Sequence, residues 1–237
     1  MAPYTLVIGN KNYSSWSLRP WLLMRQAGIP FEEVLLKFHS ADWDKNIARY
    51  SPTGLVPVLR MNDEAVWDTL AICEAVAELH PEKTLWPADR RARQIARSIC
   101  AEMHAGFRAV RGAMPMNIRS SHPGKGMTPE AGRDIERISA IWEQCRSGYG
   151  QGGEMLFGHF TVADAYYAPV ASRFRTYAVA LPPVAQAYAD AVLRLPAMQE
   201  WMAAARRETE FVADDEPYAE VKEIGRASCR ERVYVLV

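Results

Sequence analysis

In the first third of the chain, short apolar runs alternate with segments whose apolar residues recur every three or four positions. The short runs are typical of buried strands and lie at residues 4–8, 31–38, 58–61 and 65–67. The periodic segments predict helices and lie at residues 18–27, 42–50 and 69–80. This β-α-β-α-β-β-α order predicts an α/β layer with parallel strand pairing, closed by an antiparallel hairpin at one edge.

After residue 81 the pattern changes to helical segments alone. Helices are predicted at residues 88–113, 129–145, 161–177, 183–195 and 197–207, with a glycine-rich loop at 148–158. The polar, proline-containing stretch 81–87 is typical of a linker. We therefore predict two domains, an α/β domain at residues 1–81 and an all-helical domain at residues 88–212.

Composition narrows the class of protein without identifying it. The chain has 237 residues, of which 49% are hydrophobic and 24% charged, and its formal net charge is zero. These values are typical of a globular protein, and no Lys/Arg cluster predicts nucleic-acid binding. No apolar run approaches the ~20 residues that span a membrane, and no secretory signal precedes the first strand, so we expect a cytoplasmic protein. The five histidines and four cysteines show no metal-ligand spacing, so no metal site is predicted.

The last residues differ from the rest of the chain. Residues 224–237 read IGRASCRERVYVLV, with no helical period and an apolar end. We interpret this segment as a tail that derives from cloning, and it takes no part in the functional prediction.

Two helix starts carry polar residues that could either cap the helix or bind a ligand. Ser14 and Ser15 lie in a polar loop just before the first helix, and Asp68 and Thr69 open the third. Serine, threonine and aspartate are preferred N-caps, which is sufficient to explain both positions. The same positions also suit anion binding, because free backbone N–H groups and the helix dipole meet there.

Four motifs, taken in order, resemble those of the glutathione S-transferase family. They are SSWSLR at residues 14–19, SPTGLVPVL at 51–59, DTLAI at 68–72, and GHFTVAD at 158–164, where Thr161 and Asp164 form a capping box. The resemblance covers about residues 4–210. It implies a thioredoxin-like α/β N-terminal domain followed by an all-α C-terminal domain, assembled as a homodimer. The first motif is closest to the zeta class, although Trp16 stands where that class often has cysteine.

The resemblance also implies roles for individual residues. Ser14 would stabilise the glutathione thiolate, with Ser15 as the alternative and Tyr13 a weaker one. Glutathione would bind as co-substrate to the following residues: Leu55, Val56, Pro57, Asp68 and Thr69. Within this set a cis bond is expected before Pro57, and Leu55 replaces the Lys or Gln of many relatives.

The second substrate is a small electrophile, and its site is less well defined by the sequence. Its candidate residues are His104, Phe107, Arg108 and Arg111, spaced three or four apart on the helix predicted at 88–113. The two arginines could attract an acidic electrophile, but a solvated helix face has the same pattern. We expect glutathione conjugation. The alternatives are zeta-type cis–trans isomerisation and a non-catalytic interaction protein with the same fold.

Overall fold

A four-stranded sheet organises the N-terminal part of the protein. The computed structural model describes residues 3–219, 221–223 and 234–236. The strands are Thr5–Ile8 (β1), Glu32–Leu35 (β2), Val58–Met61 (β3) and Glu64–Val66 (β4), in the spatial order β2-β1-β3-β4. The helices between and after them are Ser15–Gln26 (α1), Ala41–Tyr50 (α2) and Thr69–Leu79 (α3). β1 pairs in parallel with β2 and antiparallel with β3, and β3 pairs antiparallel with β4.

Alternation along β1 explains how this sheet is covered on both faces. Leu6 and Ile8 are fully buried in the main core, which they share with α1 and α3. Val7 points to the opposite face, where Trp43 and Ile47 of α2 pack against it. Successive side chains of a strand point to opposite faces, so this short apolar run supplies both layers.

The C-terminal part is helical up to residue 205. Its helices are Arg90–Ala105 (α4), Arg108–Ala113 (α5), Pro129–Tyr149 (α6), Val162–Thr176 (α7), Pro183–Arg194 (α8) and Pro196–Ala205 (α9). Short 3₁₀ turns lie at Pro81–Lys83 and Ala213–Asp215, and two short antiparallel strands lie at Val221–Glu223 and Tyr234–Leu236. The predicted fold, a thioredoxin-like α/β domain followed by a helical domain, is confirmed. The tail interpreted at residues 224–237 falls outside the described residues except at 234–236.

The two domains share one continuous hydrophobic core through α1 and α7. Nearly every residue of α7 is buried, and the helix packs along α1. The capping box predicted at Thr161 and Asp164 is present at the start of α7, where Thr161 N donates to the Asp164 carboxylate at 2.8 Å. Trp21 of α1 meets Trp201 of α9 edge to face, with ring centroids 5.0 Å apart. The position of α1 is therefore fixed by the helical domain as well as by the sheet.

The single helix predicted at 88–113 is wrong, because it is broken between Ala105 and Arg108. Phe107 adopts a left-handed conformation, with φ of 54°, after Gly106 ends α4. The carboxylate of Asp134 then accepts hydrogen bonds from two N–H groups in the first turn of α5, both at 3.1 Å. A side chain from α6 thus caps the new helix, which local sequence could not indicate.

The loop predicted at 148–158 is partly wrong as well, since α6 continues through Gly148 to Tyr149. Gly150 N donates to Arg146 O at 3.1 Å as the helix ends. The Arg146 side chain donates to the carbonyl oxygens of Gly150, Gly153 and Met155, which satisfies acceptors of the loop. None of the helices in the described ranges is long and apolar enough to cross a membrane.

Candidate active site

A cleft of about 710 Å³ opens where the start of α1 meets the helical domain. The loops after β1 and before β3 form one side, α5 and α7 the other. Its lining residues are Tyr13, Ser14, Ser15, Trp16, Phe38, Trp43, Leu55, Val56, Arg108, Arg111, Gly112, Pro115, Arg173 and Asp215. The cleft therefore joins hydroxyl groups, aromatic rings and three arginines in one space.

Ser14 caps α1, as the simpler of the two sequence interpretations requires. Its Oγ accepts from Ser17 N at 3.4 Å and donates to Ser17 Oγ at 2.7 Å. Ser17 Oγ also accepts from Gly9 N at 3.1 Å, which ties the helix start to the end of β1. The hydroxyl hydrogen of Ser14 is thus engaged within the protein.

Ser15 has a different environment, because its oxygen faces a buried arginine. Arg173 Nη2 donates to Ser15 Oγ at 3.2 Å, and Arg173 Nε donates to Met114 O at 2.8 Å. Among the described residues the Ser15 hydroxyl hydrogen has no acceptor, and the buried Arg173 Nη1 has no partner. The Arg173 side chain is only 4% exposed, and its burial, together with the charges of Arg19 and Arg111, lowers its pKa to about 9.

Positive charge accumulates here, and among the described residues Arg19, Arg111 and Arg173 form no ion pair with a carboxylate. Arg19 is fully buried; its Nε donates to Tyr166 O at 3.0 Å and its Nη1 to Ser15 O at 2.9 Å. Burial lowers its pKa to about 10, and its Nη2 is unpartnered, as is Arg111 Nε, within the part of the chain that the structure describes. A buried charge that lacks a partner is unfavourable, so Arg111 and Arg173, which line the cleft, favour an anion there.

The residues expected to hold glutathione are brought to the same end of the sheet. The Val56–Pro57 bond is cis, as expected from the resemblance. Val56 lines the cleft beside Leu55, whose side chain is 67% exposed. Asp68 caps α3 by accepting from Leu70 N at 3.2 Å.

Thr69 and His104 have contacts that the sequence did not indicate. The Thr69 hydroxyl donates to Trp16 O at 3.1 Å, so it links the start of α3 to α1. His104 Nε2 lies 3.2 Å from Asp68 Oδ2, and its Nδ1 is 3.1 Å from Tyr166 Oη. Neither residue, nor Asp68, lies on the lining of the cleft itself.

Of the four residues predicted for the electrophile, two reach the cleft. Arg108 and Arg111 of α5 line it, and Arg111 lies over the ring of Trp16. Phe107 is buried in the core, and His104 faces Asp68 instead. The break between α4 and α5 separates the four residues, so they do not share one helix face.

The sequence prediction missed Arg173 and Asp215, which both line the cleft. Arg173 could have been found as one of the few charged residues in the mostly apolar segment that became α7, since a buried arginine usually has a partner. No sequence signal placed Asp215 near the site, because it lies beyond α9. Tyr13 is not free to act on a ligand: its hydroxyl donates to Glu216 Oε1 at 2.6 Å, and burial and that carboxylate raise its pKa far above the usual value.

No group of three or more potential metal ligands occurs among the described residues. The Cys73, Cys100 and Cys145 thiols are buried, and burial raises their pKa values. These thiols are therefore poor candidates for nucleophiles.

Two sequence models of one protein family match the chain, one for each domain. Residues 13–79 match the glutathione S-transferase N-terminal domain, and residues 128–204 match the glutathione S-transferase C-terminal domain. Together the two matches cover more than half of the chain. No curated protein sequence matches it.

Solved structures share the fold at low identity. A glutathione transferase homologue from Burkholderia, crystallised with bound glutathione, is 20% identical, with a TM-score of 0.65 over 86% of this chain and 98% of its own. A glutathione transferase from Methylococcus capsulatus is 22% identical, with a TM-score of 0.65 over 85% and 98%. A bacterial maleyl pyruvate isomerase of the zeta class is 22% identical, with a TM-score of 0.66 over 87% and 100%.

Proposed function

Because the chain belongs to the glutathione S-transferase family, we propose that it binds glutathione as co-substrate and transfers it to a small acidic electrophile. The observation that carries this proposal is the Ser15 hydroxyl, whose oxygen accepts from the buried Arg173 while its hydrogen has no acceptor among the described residues. A thiol is a poor nucleophile at neutral pH, and this pair can favour its ionised form.

The decrease in thiol pKa that the Ser15 hydrogen bond can produce is comparable to the decrease needed to ionise the thiol at neutral pH. A free thiol has a pKa of about 8.5, so only a few per cent is thiolate at pH 7. A hydrogen bond to a charged group contributes about 1.5–3 kcal/mol, and each pKa unit corresponds to about 1.4 kcal/mol. One donated hydrogen bond from Ser15, with the positive end of α1 and Arg173 nearby, can therefore lower the thiol pKa by about one to two units.

The sequence favours Ser14 for this role and the hydrogen bonds favour Ser15. The Ser14 hydroxyl hydrogen is directed at Ser17 Oγ, so donating to sulfur would require that bond to break. Ser15 can donate without losing an existing bond, and Arg173 polarises its hydroxyl. We therefore propose Ser15 as the donor to sulfur and Ser14 as the residue that fixes the start of α1.

The rest of glutathione would lie along the sheet edge. The backbone of Val56, ahead of the cis Pro57, suits the extended cysteinyl part of the peptide. Asp68 and the N-terminal turn of α3 would hold the zwitterionic γ-glutamyl end, with the carboxylate of Asp68 facing its ammonium. Nearby His104 forms an ion pair with Asp68 when protonated, and so affects the charge that the ammonium meets.

The charge of the cleft favours an acidic second substrate. Arg108 and Arg111 lie on its wall, and Arg173 presents an unpartnered buried nitrogen. Arginine binds carboxylates with two parallel hydrogen bonds, and the rings of Trp43 and Phe38 offer an apolar wall for the body of the molecule. A small unsaturated or aryl acid has both features.

Glutathione-dependent cis–trans isomerisation is the second candidate, because the same cleft would serve an acidic enone. In that reaction the thiolate adds, the former double bond rotates, and the thiolate leaves again. The products separate the two: conjugation consumes glutathione, whereas isomerisation returns it. The homodimer and the cytoplasmic location expected from the sequence stay predictions.

The test of the proposal uses the two serine variants. With glutathione and 4-chloro-3,5-dinitrobenzoate as an acidic aryl electrophile, Ser15→Ala should lower kcat/KM at least tenfold, about 1.4 kcal/mol in the barrier. Glutathione affinity, measured by calorimetry, should change little, because the other contacts remain. If Ser15→Ala leaves kcat/KM unchanged and Ser14→Ala lowers it, Ser14 is the donor to sulfur. Wild-type protein that neither binds nor consumes glutathione would overturn the proposed function.

A further inference from the structure

The chain after α9 returns to the cleft, which Asp215 lines, and hydrogen bonds to the loop before α1 hold it there. We call residues 208–218 the C-terminal strap; they lie beyond the last residue matched by the family models. The Glu208 carboxylate accepts from Lys11 N at 2.7 Å and from Asn12 N at 3.0 Å, in the loop just before Ser14. The strap is therefore attached to the loop that leads into the active site.

A second anchor fixes the strap on its other side. Glu216 Oε1 accepts from Tyr13 Oη at 2.6 Å and from Arg119 Nη2 at 3.0 Å. The side chain of Glu216 is only 1% exposed and that of Arg119 is 16% exposed. With Glu208 and Glu216 both bound, the 3₁₀ turn Ala213–Asp215 between them has a defined place at the cleft.

This turn brings one carboxyl group into the cleft and leaves its neighbour outside. Asp215 is on the cleft lining, together with Ser15 and Arg173, while Asp214 is exposed and does not line it. The Asp215 side chain makes no hydrogen bond or ion pair with any other residue in the described ranges. No hydrogen bond or ion pair therefore explains its position.

The charged groups around Asp215 come from three parts of the fold. Arg173 approaches from α7 and His39 from the loop before α2, and both favour the ionised carboxylate. Asp214 and Glu216 of the strap disfavour it. Burial is the largest effect, and the net result raises the pKa of Asp215 to about 6. A carboxyl group of this kind can hold a proton in part of the molecules near neutral pH.

We propose that Asp215 is a catalytic general acid that donates a proton to the electrophile when glutathione adds across a conjugated carbon–carbon double bond. This inference rests on the proposed function, since it needs the thiolate at Ser15. It assigns the C-terminal strap a chemical role and names the substrate class as unsaturated keto acids.

The addition forms one S–C bond and one C–H bond and uses the π pair of the double bond. A sulfur lone pair forms the new S–C bond, and the π pair of the double bond moves through the conjugated ketone to its oxygen, giving an enolate. The Asp215 carboxyl group then gives its proton to the carbon next to the ketone, and the enolate pair forms the C–H bond. Asp215 is left as carboxylate and takes a new proton from water, where the thiol proton had been released.

The same step decides between the two candidate reactions of the site. An enolate that is protonated becomes the stable conjugate, whereas one that stays unprotonated can rotate and expel the thiolate. Asp215 therefore directs the enolate towards conjugation. Substitution on an aryl chloride needs no proton on the electrophile, because chloride leaves with its electron pair.

The experiment compares Asp215→Asn with Asp214→Asn, an identical substitution one position away on an exposed side chain. Two acidic electrophiles are used, 3-benzoylacrylate for addition and 4-chloro-3,5-dinitrobenzoate for substitution. Asp215→Asn should lower kcat for addition at least tenfold and change substitution less than twofold. With the Z isomer of 3-benzoylacrylate it should also raise the yield of E isomer relative to conjugate. Asp214→Asn should keep kcat for both reactions within about twofold of wild type, because its side chain does not line the cleft.

The pH profile gives a readout that a structural role would not change. In the wild type the ratio of addition to substitution rates should fall as pH rises above about 6, because Asp215 loses its proton. Both reactions depend equally on the ionisation of the thiol, so this dependence cancels in the ratio. In Asp215→Asn this ratio should not depend on pH.

Three results would overturn the proposal. If Asp215→Asn lowers the rates of both reactions equally, Asp215 only shapes the cleft. If it raises both rates equally, Asp215 only repels acidic substrates by its charge. Unchanged rates and ratios would remove it from the reaction. If wild-type protein shows no glutathione binding by calorimetry, the proposed function fails first, and that result is seen before any Asp215 variant is assayed.

Discussion

Three arginines near the start of α1, at positions 19, 111 and 173, have buried nitrogens without a partner among the described residues. Removing a guanidinium group from water without a counter-charge costs several kcal/mol. A bound anion offsets part of that cost, so the binding of a thiolate and a carboxylate in the cleft is energetically favoured. Dense α7 packing holds Arg173 in place, with Nε bonded to Met114 O.

Arg173→Gln should weaken the binding of acidic electrophiles. We expect KM for 4-chloro-3,5-dinitrobenzoate to rise at least tenfold, because a charged hydrogen bond of about 1.5–3 kcal/mol is lost. KM for neutral 1-chloro-2,4-dinitrobenzene should rise less. The matched control is Arg175→Gln, two residues along α7, where the side chain lines a different pocket. Equal effects of Arg173→Gln on both electrophiles would contradict a role in binding the acid.

Asp68→Asn should separate ligand binding from helix capping. Asparagine caps as well as aspartate, so the melting temperature should stay within about 2 °C of wild type. KM for glutathione should nevertheless rise ten- to a hundredfold, since the charge opposite the γ-glutamyl ammonium is gone. Asp63→Asn, in the exposed turn before β4, is the control. A lower melting temperature with unchanged KM would leave Asp68 as a cap alone.

The secondary-structure elements that the sequence predicted are those whose formation depends on the local pattern of apolar residues. The strands, α1 and α3 follow from apolar periodicity, whereas the cis bond before Pro57 was expected only from the resemblance to the glutathione S-transferase family. The break between α4 and α5 was missed because its cap, Asp134, comes from a different helix. Asp215 was missed for the same physical reason, because tertiary packing alone brings it to the cleft, whereas Arg173 carries a charge within a mostly apolar helix.

The break at residue 106 gives a prediction about stability. A Cβ on Gly106 would lie 2.7 Å from the backbone oxygen of Glu102, so Gly106→Ala should lower the free energy of unfolding by about 1–3 kcal/mol. Gly132→Ala is the control, because a Cβ there meets nothing within 4 Å and alanine is favoured over glycine within a helix by about 0.5–1 kcal/mol. If urea unfolding shows that both substitutions change the free energy of unfolding in the same direction, this explanation of the break is wrong.

At the scale of the whole molecule, the chain is held together at the cleft by residues distant in sequence. Tyr13, Arg119 and Glu216 meet in one buried cluster, which joins the β1–α1 loop, the segment before α6 and the C-terminal strap. Arg25 and Glu200 also join α1 to the helical domain, but each side chain is 49% exposed. The cluster should therefore contribute more to stability than the exposed pair.

Glu216→Ala should lower the free energy of unfolding by about 3 kcal/mol, because it leaves Arg119 buried without its carboxylate. Glu200→Ala should lower it by less than about 1 kcal/mol, as expected for an exposed pair. Urea titrations of both variants measure the difference directly. If Glu216→Ala costs no more than Glu200→Ala, the strap is not held by this cluster.

A cleft that stabilises a glutathione thiolate lowers the pKa of the bound thiol, and that pKa can be measured directly. Thiolate absorbance near 240 nm, followed against pH in the wild-type complex, should give a pKa at least one unit below the free value of about 8.5. In Ser15→Ala the pKa of the bound thiol should rise most of the way back to the free value, while glutathione stays bound. A bound thiol that titrates at or above the free value would contradict the account and favour a non-catalytic protein with the transferase fold.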